Sequence, residues 1–152
     1  MLTKRLVSVP IFRGLTEEEI GCFADCARLE RHSAGEVLMT CGTPAKKFYY
    51  VISGEMTLRV LDQENMPIMV SVLGTGGTAG WSALIPPHMA TATLTAVTDL
   101  HVVEFDGELL LEAVQRHPKL GLRVMTNASA IVIQRLSDAR KRLGAALEQT
   151  RS

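Results

Sequence analysis

The chain has 152 residues, 47% of them apolar, and its 16 lysines and arginines balance 16 aspartates and glutamates. That length is enough for one domain with a core of its own, and the neutral balance argues against the basic footprint by which proteins hold nucleic acid or a membrane surface. No stretch approaches the roughly 18 apolar residues of a membrane helix, Met1-Leu2-Thr3-Lys4-Arg5 carries no signal-peptide run, and the odd set Cys22, Cys26 and Cys41 points to a reducing compartment, so a cytoplasmic location is expected.

A short helix is expected from Thr16 to near Leu29. Thr16 can cap it, Glu19 stands three residues on as a capping box requires, and Ile20, Phe23, Ala24 and Ala27 follow at helical spacing. Cys22 and Cys26 would share a face of that helix as small core residues. A metal or iron–sulfur cluster needs about four ligands, and only three thiols exist. Cys41 is expected in a strand.

The middle of the chain reads as short strands. Val37-Leu38-Met39 lies between Gly35 and Gly42, and Phe48 to Ile52 runs into the turn pair Ser53-Gly54. Met56, Leu58 and Val60 alternate with polar residues, Asp62 to Asn65 makes a hairpin loop, and Ile68, Val70 and Val72 alternate on the return. Gly74, Gly76, Gly77 and Gly80 interrupt the pattern. Ala92, Leu94 and Ala96 then alternate with threonines, and Leu100 to Phe105 is the last strand. Evenly spaced short strands suggest a sandwich or barrel.

The C-terminal third is helical. Asp106 to Val114 reads as a short helix, and His117-Pro118 opens a long one towards Gln149. Leu122, Met125, Ser129, Val132, Leu136, Ala139, Leu143 and Ala146 fall at alternating spacings of three and four, a heptad stripe. A helix of this reach overhangs so small a domain, which favours a partner helix over packing on its own domain. Arg135, Lys141 and Arg142 beside the stripe read as a solvated face.

Three groups of motifs carry a family resemblance. Ala34-Gly35-Glu36-Val37-Leu38, Cys41-Gly42-Thr43-Pro44 and Phe48 to Met56 form the first. Gly80 to Leu84 with Ala92-Thr93-Leu94-Thr95-Ala96 form the second, and Asp99 to Phe105 the third. In this order the motifs resemble the cyclic-nucleotide-binding domain over roughly residues 15–147. The family includes the sensor modules of catabolite-activator and FNR-type bacterial regulators, and of cyclic-nucleotide-regulated kinases and channels. The resemblance implies a β-roll and a short cassette helix whose N–H groups meet a cyclic phosphate, as helix N-termini do. The expected pocket is Gly80, Trp81, Ser82, Ala83, Leu84, Ala90, Thr91, Ala92 and Thr93.

Two charges of the family pattern are missing. A glutamate usually follows the cassette glycine and accepts from the ribose; here Trp81 stands there. An arginine usually stands two residues before the Ala-Thr pair and grips the phosphate; here that place falls on Ala90, and a slip of one reaches only Met89 or Thr91. A hydrogen bond to a charged group contributes about 1.5–3 kcal/mol, and an unpartnered buried charge costs roughly 2–5 kcal/mol. The missing arginine alone should weaken binding by about thirtyfold to several thousandfold. His88, after Pro86-Pro87, is the nearest cation but is mostly neutral at pH 7 and reads as a loop residue. Trp81 is equally an aromatic platform for a ligand or a plug in the pocket.

The expected fold is α+β and mostly β: a double-stranded antiparallel β-roll, jelly-roll-like, with N-terminal helices and a long C-terminal helix. Residues 1–117 are expected to hold the helical lead-in, the roll and the short following helix, and residues 118–149 the dimerisation helix. The expected function is non-catalytic regulation by a small-molecule effector, or by none, without the usual binding of cAMP or cGMP. A homodimer is expected through Leu122, Met125, Ser129, Val132, Leu136, Ala139 and Leu143. No cofactor, no metal, no membrane contact and no direct DNA binding are expected, since no helix-turn-helix follows before Ser152. Two alternatives are a working cyclic-nucleotide receptor with unusual contacts, and a haem or redox sensor using His88, Met89 or the cysteines. A metal enzyme on a related roll is disfavoured, because His32, His88, His101 and His117 make no ligand motif.

Overall fold

Helix α1 (Leu2–Leu6) and a 3-10 turn at Pro10–Phe12 open the computed structural model, which describes residues 2–151. Thr16 then starts α2 (Glu17–Ile20) with a complete capping box. Its Oγ1 accepts from the Glu19 amide at 3.1 Å, and Glu19 Oε1 accepts from the Thr16 amide at 2.8 Å.

The helix does not run on to Leu29 as the spacing suggested. It tightens into a 3-10 segment, Gly21–Cys26, and Ala27–His32 is strand β1. Nothing local marks that strand, because Arg28, Glu30, Arg31 and His32 give no alternation of apolar and polar residues. Its pairing partner, distant in sequence, decides the matter, with Ala27 opposite Phe105 and His32 opposite Leu100. With about three residues per turn, Cys22 and Cys26 no longer share a face. Cys26 is buried and Cys22 half-buried. Cys41 lies in a turn, not in a strand.

The remaining strands are β2 (Val37–Met39), β3 (Lys47–Ser53), β4 (Met56–Leu61), β5 (Pro67–Leu73), β6 (Thr78–Ala79), β7 (Thr93–Ala96) and β8 (Leu100–Asp106). They form two antiparallel four-stranded sheets, ordered β1-β8-β3-β6 and β2-β7-β4-β5. This is the double-sheeted roll expected from the sequence.

Alternation along β3 divides the interior in two. Tyr49 and Val51 point into the roll, where they meet Met56, Leu94, Leu100 and Val102. Phe48 points to the other side, where Phe12, Phe23, Phe105, Leu110 and Val124 join roll to helices. Three ring pairs, Phe12–Phe23, Phe12–Phe105 and Phe48–Phe105, have centroids 5.6–5.8 Å apart, within the range of favourable aromatic contact.

Helix α3 (Gly107–Arg116) is capped by Asp106, whose Oδ1 accepts from the Leu109 amide at 3.0 Å. Helix α4 (Pro118–Arg151) has 34 residues, and only Gly121, Val124 and Ala128 of them are buried. At 1.5 Å per residue it is roughly 50 Å long. The stripe lies on another face: Leu122, Ser129, Val132, Leu136, Ala139 and Leu143 are exposed, and Met125 is half-buried.

Candidate ligand-binding site

Strand β6 pairs with β3 and delivers the chain to Gly80. Gly80 has φ 87° and ψ 27°, the left-handed conformation. A Cβ there would strike the Lys47 carbonyl oxygen and come within 3.2 Å of Phe48 Cα. Backbone sign and close approach together demand glycine at this corner. A single 3-10 turn, Trp81–Ala83, follows. Ala83 N donates to Gly80 O and Leu84 N to Trp81 O, both at 3.0 Å. Among the described residues the Trp81 and Ser82 amides donate to nothing. They are the unpaired first-turn donors that an anion could meet.

Trp81 packs into protein. Its ring lies 4.5 Å from that of Phe48, at 51°, on the helix side of the sheet. Its Nε1 is buried without an acceptor among the described residues. Ala90 is also sealed in, against Ala45 and Ala83, and its backbone bonds both Thr43 O and the Gly42 amide at 2.8 Å. Ala92 is buried, and Thr93 Oγ1 accepts from the Cys41 amide at 2.9 Å.

Part of the expected pocket does come together. Trp81, Ser82, Leu84 and Thr91 face Met125, Ser129 and Val132 of α4 across a cleft of about 460 Å³. Gly80, Ala83, Ala90, Ala92 and Thr93 do not line that cleft. Three of the seven supposed seam residues therefore share a space with the cassette.

Two basic side chains sit differently from the sequence reading. His88 is half-buried and adopts φ 59°. Its Nδ1 donates to the carbonyls of Ser82 (3.2 Å) and Ala83 (3.1 Å), at the C-terminal end of the turn and away from the free amides. Arg135 is half-buried rather than solvated. Its guanidinium reaches back from α4 to the Thr78 carbonyl and lies 3.3 Å from the Thr78 hydroxyl. Burial holds its pKa below the usual arginine value. Arg142, one helical repeat on, donates to Val70 O at 3.0 Å. Of the three basic residues beside the stripe, Lys141 and Arg142 are exposed as expected, and only Arg135 is drawn in. Thr78 and Arg135 are 57 residues apart, so no scan around the cassette finds this contact. The contact falls two residues short of Gly80.

Residues 29–117 match the family model for the cyclic nucleotide-binding domain. The chain belongs to that family. A Geobacter metallireducens protein named for cyclic nucleotide binding is 25% identical, with a TM-score of 0.77 over 90% of this chain and 98% of its own. Thermus thermophilus catabolite activator protein is 24% identical, with a TM-score of 0.74 over 89% of this chain and 62% of its own; that likeness is one of fold. The cAMP-dependent protein kinase regulatory subunit of Mycosarcoma maydis is 29% identical over 98 residues, 63% of this chain. The chain spans 28%, 19% and 18% of the lengths of three curated relatives it matches. No helix among the described residues is long and apolar enough to cross a membrane.

This cyclic nucleotide-binding domain has a second cavity, a polar one of about 360 Å³ lined by His32, Glu36, Lys47 and Glu104, which the sequence reading missed. His32 joins Glu36 through Nδ1 and Glu104 Oε1 through Nε2 (2.8 Å), while Lys47 Nζ lies 3.2 Å from Glu104 Oε2. Glu104 is only 4% exposed. Burial would lower the His32 pKa, but its bonds to Glu36 and Glu104 outweigh that and raise it. The stability from charging His32 is therefore complete below its ordinary value of 6.5 and lost as pH rises through the raised one. The His32 bond holds Glu36 below its ordinary 4.5, so that share is lost on acidification through the lowered value. Urea melts from about pH 5 to about pH 9 should show stability falling on the alkaline side, and His32→Gln should flatten that limb. An unchanged limb in the variant would assign the slope to another group.

Cys26 is unlike a redox ligand. Cys26 Sγ donates to Phe23 O at 2.8 Å, and burial pushes its thiol up to about 12, so it stays protonated.

Proposed function

We propose that this domain is a non-catalytic regulatory module that does not hold cAMP or cGMP in the family's usual way. One observation carries this reading: both positions that should present charge to the nucleotide are apolar side chains packed into protein. Trp81 lies on Phe48, and Ala90 lies between Ala45 and Ala83. The free amides of Trp81 and Ser82 keep a polar floor, but no carboxylate or guanidinium stands at either expected place. Residues 1–117 form the sensing part, and 118–149 carry its state to a second copy. The exposed stripe supports that role, as do Ile68, Met69 and Val72 exposed on β5. An effector, if one exists, fits the cleft between Trp81 and Val132.

A second reading has its own support. Arg135 brings a guanidinium to Thr78, two residues before Gly80 in the chain, and in this reading a shift of α4 carries it to an anion at the Trp81 and Ser82 amides. Thermal unfolding with added cAMP, cGMP or AMP separates the two. A receptor at about 100 times its Kd gains about 2.7 kcal/mol. We expect equal, negligible shifts for all three nucleotides. A selective shift of several degrees with cAMP, abolished by Arg135→Gln, would establish the second reading instead.

A further inference from the structure

A cavity of about 400 Å³ separates the N-terminal 3-10 turn from α4, and it is distinct from the cassette cleft. Its polar lining is Arg13, Asn127, Gln134 and Arg135, and no carboxylate lines it. The Arg123 guanidinium, outside that lining, lies beside Gly14: a Cβ there would sit 2.6 Å from Arg123 Nη1. Asn127 Nδ2 donates to the carbonyls of Ile11 (3.0 Å) and Arg13 (2.9 Å), which fixes the Arg13 backbone over α4. Asp138 is one turn beyond, but its Oδ1 accepts from Gln134 Nε2 at 3.0 Å.

Among the described residues, every ion pair belongs to the His32–Glu104 cluster, so Arg13, Arg123 and Arg135 have no acidic partner. Arg13 is exposed and easily hydrated, whereas Arg135 is largely withdrawn from water. Arginine cannot escape that cost by losing its proton. Withdrawing a charge from water is expensive unless an opposite charge meets it. Thr78 takes donors from one side of the Arg135 guanidinium; the planar group has five, and the rest have no protein acceptor. Arg13 and Arg135 line one cavity, and each planar guanidinium offers a fork of donors that matches carboxylate or phosphate oxygens. Pro10, Ala130 and Ile131 supply an apolar wall beside them.

We infer that this cavity binds a small organic anion, a carboxylate or phosphate monoester with a compact apolar body, between Arg13 and Arg135. The anion would neutralise a partly buried charge and tie the N-terminal segment to α4. The inference is independent of what the cassette holds.

Phenyl phosphate, benzoate, inorganic phosphate and acetate are each titrated into the whole chain by calorimetry, with sodium chloride at matched ionic strength as the blank. At least one anion should bind saturably, and a preference for phenyl phosphate or for benzoate tells which oxyanion the site takes. Arg13→Gln, an exposed change that leaves the core alone, should weaken binding about tenfold or more. Ala130→Asp, also at an exposed position, should abolish it by adding a like charge. Saturable binding lost in both variants supports the site. Responses no different from sodium chloride, or binding equal in the unaltered protein and both variants, would overturn it. Failure of cAMP to bind leaves this result untouched.

Discussion

Leu136→Asp is expected to turn a dimer into a folded monomer. Leu136 is 48% exposed, and the apolar residues around it are also open, with Val132 at 42%, Ile133 at 66%, Leu143 at 59% and Leu147 at 56%. No residue of α4 beyond Ala128 is buried, and past Ile131 its contacts with the roll are mainly those of Arg135 and Arg142, so the apolar side chains of its second half are largely uncovered. Long helices in water owe most of their stability to packing of an apolar face. A second copy, antiparallel or parallel, is the simplest cover, and the stripe spacing of three and four suits a parallel helix pair. Burying one leucine contributes roughly 1.5–3 kcal/mol, and two-fold symmetry counts each position twice. An aspartate in the seam forfeits that and adds a desolvated charge. The dissociation constant should rise more than about a thousandfold, at 1.4 kcal/mol per decade. Light scattering reads the mass, and circular dichroism checks that α4 remains. A monomeric mass for the unaltered protein at high concentration would remove the seam; so would an unchanged dimeric mass in the variant.

Gly80→Ala should be severely destabilising although the added group is one methyl. The left-handed backbone costs a non-glycine residue roughly 1–2 kcal/mol. The new Cβ must also displace the Lys47 carbonyl, part of a strand paired with β8. Together these should cost about 3 kcal/mol or more, lowering Tm by roughly 6–12 °C for a chain of this size. Gly80 is thus held in place by β3 whether or not a nucleotide ever meets the cassette. A melting point within about 2 °C of the unaltered protein would mean that the corner relaxes freely.

The parts of the fold that announced themselves in the sequence are those whose cause is local. Thr16 and Glu19 make a cap within four residues, β3 is an apolar run closed by a turn pair, β4 and β5 alternate in sequence, and the capped helix after Asp106 and the long helix after Pro118 follow their own signals. The parts that stayed hidden depend on partners far along the chain. Strand β1 is charged on both faces and exists because β8 pairs with it. Arg135 looked solvated because the helix pattern alone does not show that α4 lies along β6. The buried Glu104, with His32 and Lys47 around it, gathers residues from three strands that no spacing rule links. In the cassette, position was legible and orientation was not. Trp81 was equally a platform or a plug on paper, and its contact with Phe48 favours packing.

The loss of the cassette's charge pair is tested most directly by equilibrium dialysis of the unaltered protein against labelled cAMP. No saturable uptake up to about 1 mM is predicted, because neither the phosphate nor the ribose meets its usual partner. One nucleotide held per chain, half-saturating in the micromolar range, would contradict it and show that another group, Arg135 foremost, has replaced the missing cation.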